Sequence, residues 1–145
     1  MNVLDMFRMH DKVVTGGARD LGYDMADALA EAGCDLVITS RSPASASEAA
    51  TQLKESRGVD VLPLSLDVRE PAGIEAFAEQ AIDWKGHVDV LINNAGGGGG
   101  STSSTHLFKR SCEDIAALIE TNLTGALLCC RVFGAHMAER GTGKI

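Results

Sequence analysis

Two short stretches of the chain carry residue types and spacings that can do chemistry. Thr15-Gly-Gly-Ala-Arg-Asp-Leu-Gly22 stands between an apolar run and a helical period. In that setting glycine-bearing backbone presents helix N-terminal amides, with the positive end of the helix dipole behind them, to an anion such as a pyrophosphate. On its own the turn suits any tight strand-to-helix connection equally well. Asn93-Asn94-Ala95-Gly96 is sharper. Its two side-chain amides can hold neighbouring backbone, and the small Ala-Gly pair lets a ligand ring approach the main chain closely.

Other chemistries find less support. Cys34, Cys112, Cys129 and Cys130 show no Cys-x-x-Cys metal spacing, and two of them are adjacent inside an apolar stretch. They read as reduced core residues, and no metal site is expected. His87, His106 and His136 form no triad with any serine at a readable spacing and read as surface or loop residues. Tyr23 is the one tyrosine and stands on the first helix, beside the glycine turn.

The elements that must position these residues alternate in type. Short apolar runs predict strands at Lys12–Thr15, Asp35–Thr39, Val61–Leu66 and Val88–Ile92. Between them lie helices from about Leu21 to Ala32, ended by Gly33, from about Ala44 to Arg57 after Pro43, and one opened by Pro71 with Ile74, Phe77, Ala78 and Ile82 on one face. Repeated strand–helix–strand units of this kind build a parallel sheet. Beyond the fourth strand, Gly96–Gly100 and Ser101–Ser104 have the composition of a flexible linker without separating domains. Ser111-Cys-Glu-Asp114 reads as a weak capping box, and Leu123, Leu127, Cys130, Gly134 and Met137 as one face of a further helix stopped by Gly141-Thr-Gly143. Lys144-Ile145 would begin a fifth strand.

Composition fits one soluble α/β domain: 145 residues, 45% hydrophobic, 23% charged and 4% aromatic. The formal charge of −7 argues against a phosphate-neutralising surface for nucleic acid. The segment from Met1 to Asp11 mixes charges into its apolar residues, unlike a signal peptide, and no later stretch is expected to reach the roughly 18 apolar residues of a membrane span.

Together the motifs resemble the short-chain dehydrogenase/reductase family, whose pattern is Thr-Gly-x-x-x-Gly-x-Gly after the first strand, Asp-hydrophobic after the third and Asn-Asn-Ala-Gly after the fourth. Here these are Thr15–Gly22, Asp67-Val68 and Asn93–Gly96, in the family's order, and the resemblance runs from about Phe7 to Ile145. It implies a Rossmann-like doubly wound parallel α/β sheet with four strands complete and a fifth starting. Residues 1–145 then form a single NAD(P)-binding domain that is truncated at its C-terminus. It further implies hydride transfer between NADP(H) and a hydroxyl/carbonyl group of a small metabolite, with this chain supplying the cofactor-binding half of a cytoplasmic homo-oligomer whose contact lies near the Leu123–Met137 helix. No nucleic-acid or membrane partner is expected. A non-catalytic NADP(H)-binding module, or an inactive remnant, is the alternative.

Carried over by position, the family pattern makes Gly16, Gly17, Ala18, Arg19, Leu21 and Gly22 the pyrophosphate and ribose turn, and Asp67 and Val68 the adenine pocket. Asn94, Ala95 and Gly96 would line the nicotinamide-side ribose, while Asn93 would brace its strand against a neighbour. Asn122 matches the family's helix asparagine, a polar member of the active site, and is otherwise a helix-start cap. Ser40-Arg41-Ser42 closes the second strand, where an acidic side chain would favour a ribose 2′-hydroxyl and a basic one a 2′-phosphate. An arginine on phosphate is a contact of about 1.5–3 kcal/mol. With Arg19 where NADP-using members often carry a second basic residue, NADP(H) is favoured over NAD(H). Two solvated arginines are the other reading.

The sequence departs from the pattern twice. Asp20 replaces the middle turn glycine, at a cost of about 1 kcal/mol if φ is positive there and about as much again from its charge against phosphate. An outward side chain capping the helix at Leu21 would offset this. The family's serine and Tyr-x-x-x-Lys would fall beyond Ile145, so the 145 residues are expected to be inactive alone. They are also expected to be marginally stable and self-associating, with Val88–Ile92 an apolar sheet edge.

Overall fold

A computed structural model describes residues 11–97 and 106–145. Four parallel strands, β1 (Asp11–Val14), β2 (Asp35–Ser40), β3 (Val61–Ser65) and β4 (Val90–Ile92), form one sheet in the order β3-β2-β1-β4. Helices α1 (Asp20–Glu31), α2 (Pro43–Arg57) and α3 (Pro71–Lys85) make the crossovers. The doubly wound expectation holds, and each strand and helix boundary lies within two residues of the sequence reading. The called linker falls largely on residues outside those described, as does nearly all of the N-terminal segment.

Local chemistry sets the ends of these helices. Ser42 caps α2 by accepting the Ser45 N–H at 3.3 Å, and Pro43 follows at the first helical position, where its missing N–H costs nothing. Gly58 and Gly86 take left-handed backbone at the ends of α2 and α3.

The alternation of β2 divides the core between the two faces of the sheet. Leu36 and Ile38 point to one side, into a cluster with Ala26, Ala30, Ala49, Ala50 and Leu53 of α1 and α2. Val37 points to the other, with Val13, Leu91, Ile74, Phe77 and Ala78. Alanine dominates the first interface, so α1 and α2 lie close to the strands. The second is filled by larger side chains, among them Phe77 and Phe133, whose rings meet edge to face at 5.5 Å.

Phe133 belongs to a second helical layer. A one-turn 3₁₀ helix at Leu107–Lys109 leads to α4 (Cys112–Ile119), a π-helical turn (Glu120–Thr124) and α5 (Gly125–Arg140), which run on without a break. Ser111 caps α4, accepting the Asp114 N–H at 3.1 Å, as the capping-box reading expects. Of the expected face of the following helix only Met137 is buried. Gly125, Cys129, Phe133 and Met137 are buried, whereas Leu123 and Leu127 are 55% and 59% exposed. The buried row recurs at every fourth residue of α5, and the small Gly125 and Cys129 permit a closer approach than leucines would.

Three smaller expectations are corrected as well. Cys112 is exposed at the start of α4, unlike buried Cys34 and Cys129. His136 is half-buried on α5, not on a loop. The continuous helix Cys112–Arg140 has an 18-residue window of mean hydropathy 1.4 and is long and apolar enough to cross a membrane by length and composition. It exceeds the sequence expectation because apolar residues occupy two faces, one packed on α3 and one carrying exposed Ile119, Leu123 and Leu127.

At the β4 edge Lys144 forms a parallel bridge with Val90, donating to Asp89 O and accepting from Leu91 N. The edge expected to be bare is therefore met by the start of another extended segment.

Candidate cofactor-binding site

The sheet order reverses between β1 and β4, since the chain leaves β1 towards β2 on one side and β4 pairs on the other. Connections from the two strands diverge at that point and open a crevice at their C-terminal ends. Both sequence motifs arrive there.

A hydrogen-bonded knot built on Thr15 joins them. Its buried hydroxyl donates to Ile92 O at 3.3 Å and accepts the backbone N–H groups of Asn94 and Ala95, each at 3.0 Å. The Asn94 amide donates to the carbonyls of Thr15 and Gly16 at 3.1 and 3.3 Å. From β2, Thr39 Oγ1 accepts the Gly16 N–H at 3.1 Å. Gly16 has a φ of 66°, which only glycine adopts without cost. A Cβ at Gly22 would overlap the Gly16 carbonyl and stand 2.5 Å from Asn94 Nδ2, so a glycine is required there by contact. Asn94 thus braces the glycine turn. Asn93 instead donates to Cys130 Sγ at 3.2 Å, bracing the end of β4 against α5, not against a neighbouring strand.

Asp20 has a φ of 51°, the one positive value outside glycine among the described residues. The anticipated backbone cost is therefore real. Its carboxylate is exposed and lies 3.7 Å from Arg19 Nε, turned outward as expected. It does not take the cap position: Arg19 does, in extended conformation and without a side-chain cap bond. The first helical bond runs from Tyr23 N to Arg19 O, which leaves the amides before it directed out of the helix end.

The ends of β2 and β3 supply the opposite wall, with Ser40, Arg41, Leu66, Asp67, Val68 and Arg69. Arg69 grips Asp67 through Nε at 2.9 Å and a terminal nitrogen at 2.5 Å, and its backbone N–H adds a third donor at 3.0 Å. These contacts hold the Asp67 carboxyl down at about 2, mainly through the Arg69 side chain, with a smaller contribution from Arg41. Val68 is buried beneath the N-terminus of α5, where a Cβ on Gly125 would stand 2.7 Å from the Val68 carbonyl.

Asn122 lies in the π turn. Its side chain accepts Gly97 N at 3.1 Å and donates to Gly97 O and Leu118 O, both at 2.9 Å. It starts no helix, which removes the cap reading. A Cβ on Gly96 would come within 2.6 Å of Asn122 Oδ1.

The resulting cleft encloses about 420 Å³. Gly16, Ala18, Arg19, Leu21, Gly22, Arg41, Asp67, Val68, Asn94, Ala95 and Gly96 line it, so one cavity gathers these residues from the ends of all four strands. Gly17 and Asn122 are not among its lining residues. Sequence reasoning missed Thr39, Ser40, Leu66, Arg69, Ala117 and Thr121. Position at a strand end flags the first three. Arg69 had a further signal, a cation two residues after a candidate carboxylate.

The arrangement fits an extended anionic dinucleotide. Glycine backbone and a helix N-terminus face a phosphate position, Arg19 and Arg41 flank one end, and the Asp67 carboxylate offers an acceptor. Among the described residues no group of histidine, cysteine and acidic side chains could hold a metal ion.

Comparison with known proteins agrees. Residues 12–145 match the family model described as short chain dehydrogenase. An NADP-dependent mannitol dehydrogenase from Alternaria alternata is 36% identical over 97% of this chain and 53% of its own length. An alcohol dehydrogenase from the archaeon Thermococcus sibiricus, solved with 5-hydroxy-NADP, superposes with a TM-score of 0.84 at 31% identity, over 94% of this chain and 57% of that one. L-sorbose reductase from Gluconobacter frateurii, solved with NADPH and L-sorbose, gives 0.80 at 31% identity, over 91% and 49%. The chain spans about half the length of these relatives. With its parallel sheet, glycine turn and Asn-Asn-Ala-Gly strand end in their matching places, the chain belongs to the short-chain dehydrogenase family.

Proposed function

We propose that this chain is the NADP(H)-binding part of an oxidoreductase that moves a hydride between the nicotinamide cofactor and a hydroxyl/carbonyl group of a small molecule. Arg41 carries the cofactor preference: it closes β2 at the cleft, between two serines, where a 2′-hydroxyl reader would be acidic. The relatives named for NADP support this reading, since their cofactors carry the 2′-phosphate that Arg41 and Arg19 would pair with.

When bound, the cofactor accepts or donates the hydride. The residues of this chain bind and orient it. Amides at the start of α1 hold the pyrophosphate, Asp67 and Val68 hold the adenine, and Asn94, Ala95 and Gly96 hold the second ribose. Asn122 fixes the backbone at Gly97, beside the reacting end. We also propose a cytoplasmic homo-oligomer, with the exposed apolar face at Ile119, Leu123 and Leu127 as its contact.

Fluorescence titration with NADPH and NADH tests the cofactor assignment. NADPH is expected to bind about tenfold more tightly, and Arg41→Ala to bring the two constants together. Equal affinity for both in the native chain, or an unchanged ratio in Arg41→Ala, overturns it.

A further inference from the structure

Asp67 and Arg69 sit together at the β3 end of the cleft, with side chains 26% and 39% exposed. Among the described residues, the hydrogen-bond donors to this carboxylate come from Arg69. Oδ1 accepts the Arg69 backbone N–H at 3.0 Å and Nε at 2.9 Å. Oδ2 accepts a terminal guanidinium nitrogen at 2.5 Å and a longer share of Nε at 3.2 Å. A carboxylate has about four acceptor positions, two on each oxygen. Oδ1 is filled, and Oδ2 keeps one.

The guanidinium fork is planar and rigid, so gripping both oxygens fixes the plane of the carboxylate as well as its charge. The backbone beneath cannot drift, because Val68 between the two residues is buried and wedged against Gly125. We propose that Arg69 is a positioning residue for base recognition: it presents the Asp67 carboxylate to the cleft with a single acceptor position, suited to one N–H donor such as the exocyclic amine of a 6-aminopurine. A 6-oxopurine would set its carbonyl oxygen against that carboxylate and is disfavoured. The inference rests on the dinucleotide reading of the cleft and adds how its base is chosen.

The test uses the full chain, the NADPH titration, and competition by NADP⁺ and its hypoxanthine analogue, in which an oxygen replaces the 6-amine. The native chain should prefer the adenine form by about tenfold, the worth of one charge-assisted hydrogen bond. Arg69→Gln, which keeps size without the charged fork, should lower that preference at least about threefold while retaining native circular dichroism. Arg69→Lys keeps the charge but not the fork, should also lower it, and carries the comparison if the glutamine variant does not fold. A preference unchanged in the folded variants overturns the proposal, as does tighter adenine binding in Arg69→Gln, which would make Arg69 a competitor of the base. Failure of the native chain to bind either nucleotide marks instead the failure of the dinucleotide reading, and the proposal falls with it.

Discussion

Asn94 and Thr15 hold each other twice. The Asn94 side-chain amide donates to the Thr15 carbonyl at 3.1 Å, and the Asn94 backbone N–H donates to the Thr15 hydroxyl at 3.0 Å. Through this pair the end of β4 is tied to the turn that follows β1. Asn94→Ala strips a donor from the carbonyls of both Thr15 and Gly16 and should cost about 1–3 kcal/mol of stability. A lowered denaturant midpoint at constant slope is the expected result, together with weaker NADPH binding.

Asp20 sets a second expectation. At a φ of 51° a side chain costs about 1 kcal/mol relative to glycine, and the negative charge lies in the lining of the cleft, beside the proposed pyrophosphate position. Asp20→Gly should therefore tighten NADPH binding severalfold. Stability should change little, because the added freedom of glycine in the unfolded chain offsets the relief of strain. An unchanged or weaker dissociation constant would defeat this account.

The grip of Arg69 on Asp67 predicts an acid-sensitive component of stability. The folded carboxyl lies at about 2, below its ordinary 3.8, so the folded state favours the ionised form. That contribution is complete above about pH 4 and is lost as pH falls towards 2. Because both side chains are partly exposed, solvent screening reduces it to about 1 kcal/mol. Urea titrations at pH 5 and pH 3 should show a smaller difference in Asp67→Asn than in the native chain, once the acid response common to both is subtracted.

Most of the strand–helix alternation was legible because each element announces itself locally. Pro43 and Pro71 open helices, Gly33, Gly58 and Gly141 follow their ends, and β2 is centred on the apolar run Leu36-Val37-Ile38. The α5 face was not legible, since its leucines Leu123 and Leu127 lie on the exposed side while the buried row of Gly125, Cys129, Phe133 and Met137 mixes small and large side chains. Cleft residues were found where a glycine or amide motif marks them. Arg69 escaped because its role depends on a side-chain pairing, which a list of strand ends does not reveal. Reading Asn93 as a brace between strands and Asp20 as a cap failed for the same reason: both were argued from what a side chain can do, and the neighbours that decide it come from distant elements.

The strand order also bears on how the molecule assembles. β2 pairs with β1 and β3 across single helical crossovers, whereas Lys12 of β1 meets Val90 of β4 only after the chain has passed through both other strands. Of the three strand pairings this one closes the longest loop and so carries the largest loop-closure entropy, and the seam it closes is the one spanned by Thr15 and Asn94. On the proposed reading a nucleotide lies across this seam and would bind the closed sheet in preference to its precursor. It therefore draws the equilibrium forward by mass action, and amide exchange at Ala95 and Gly16 should slow in its presence before the distal strands respond.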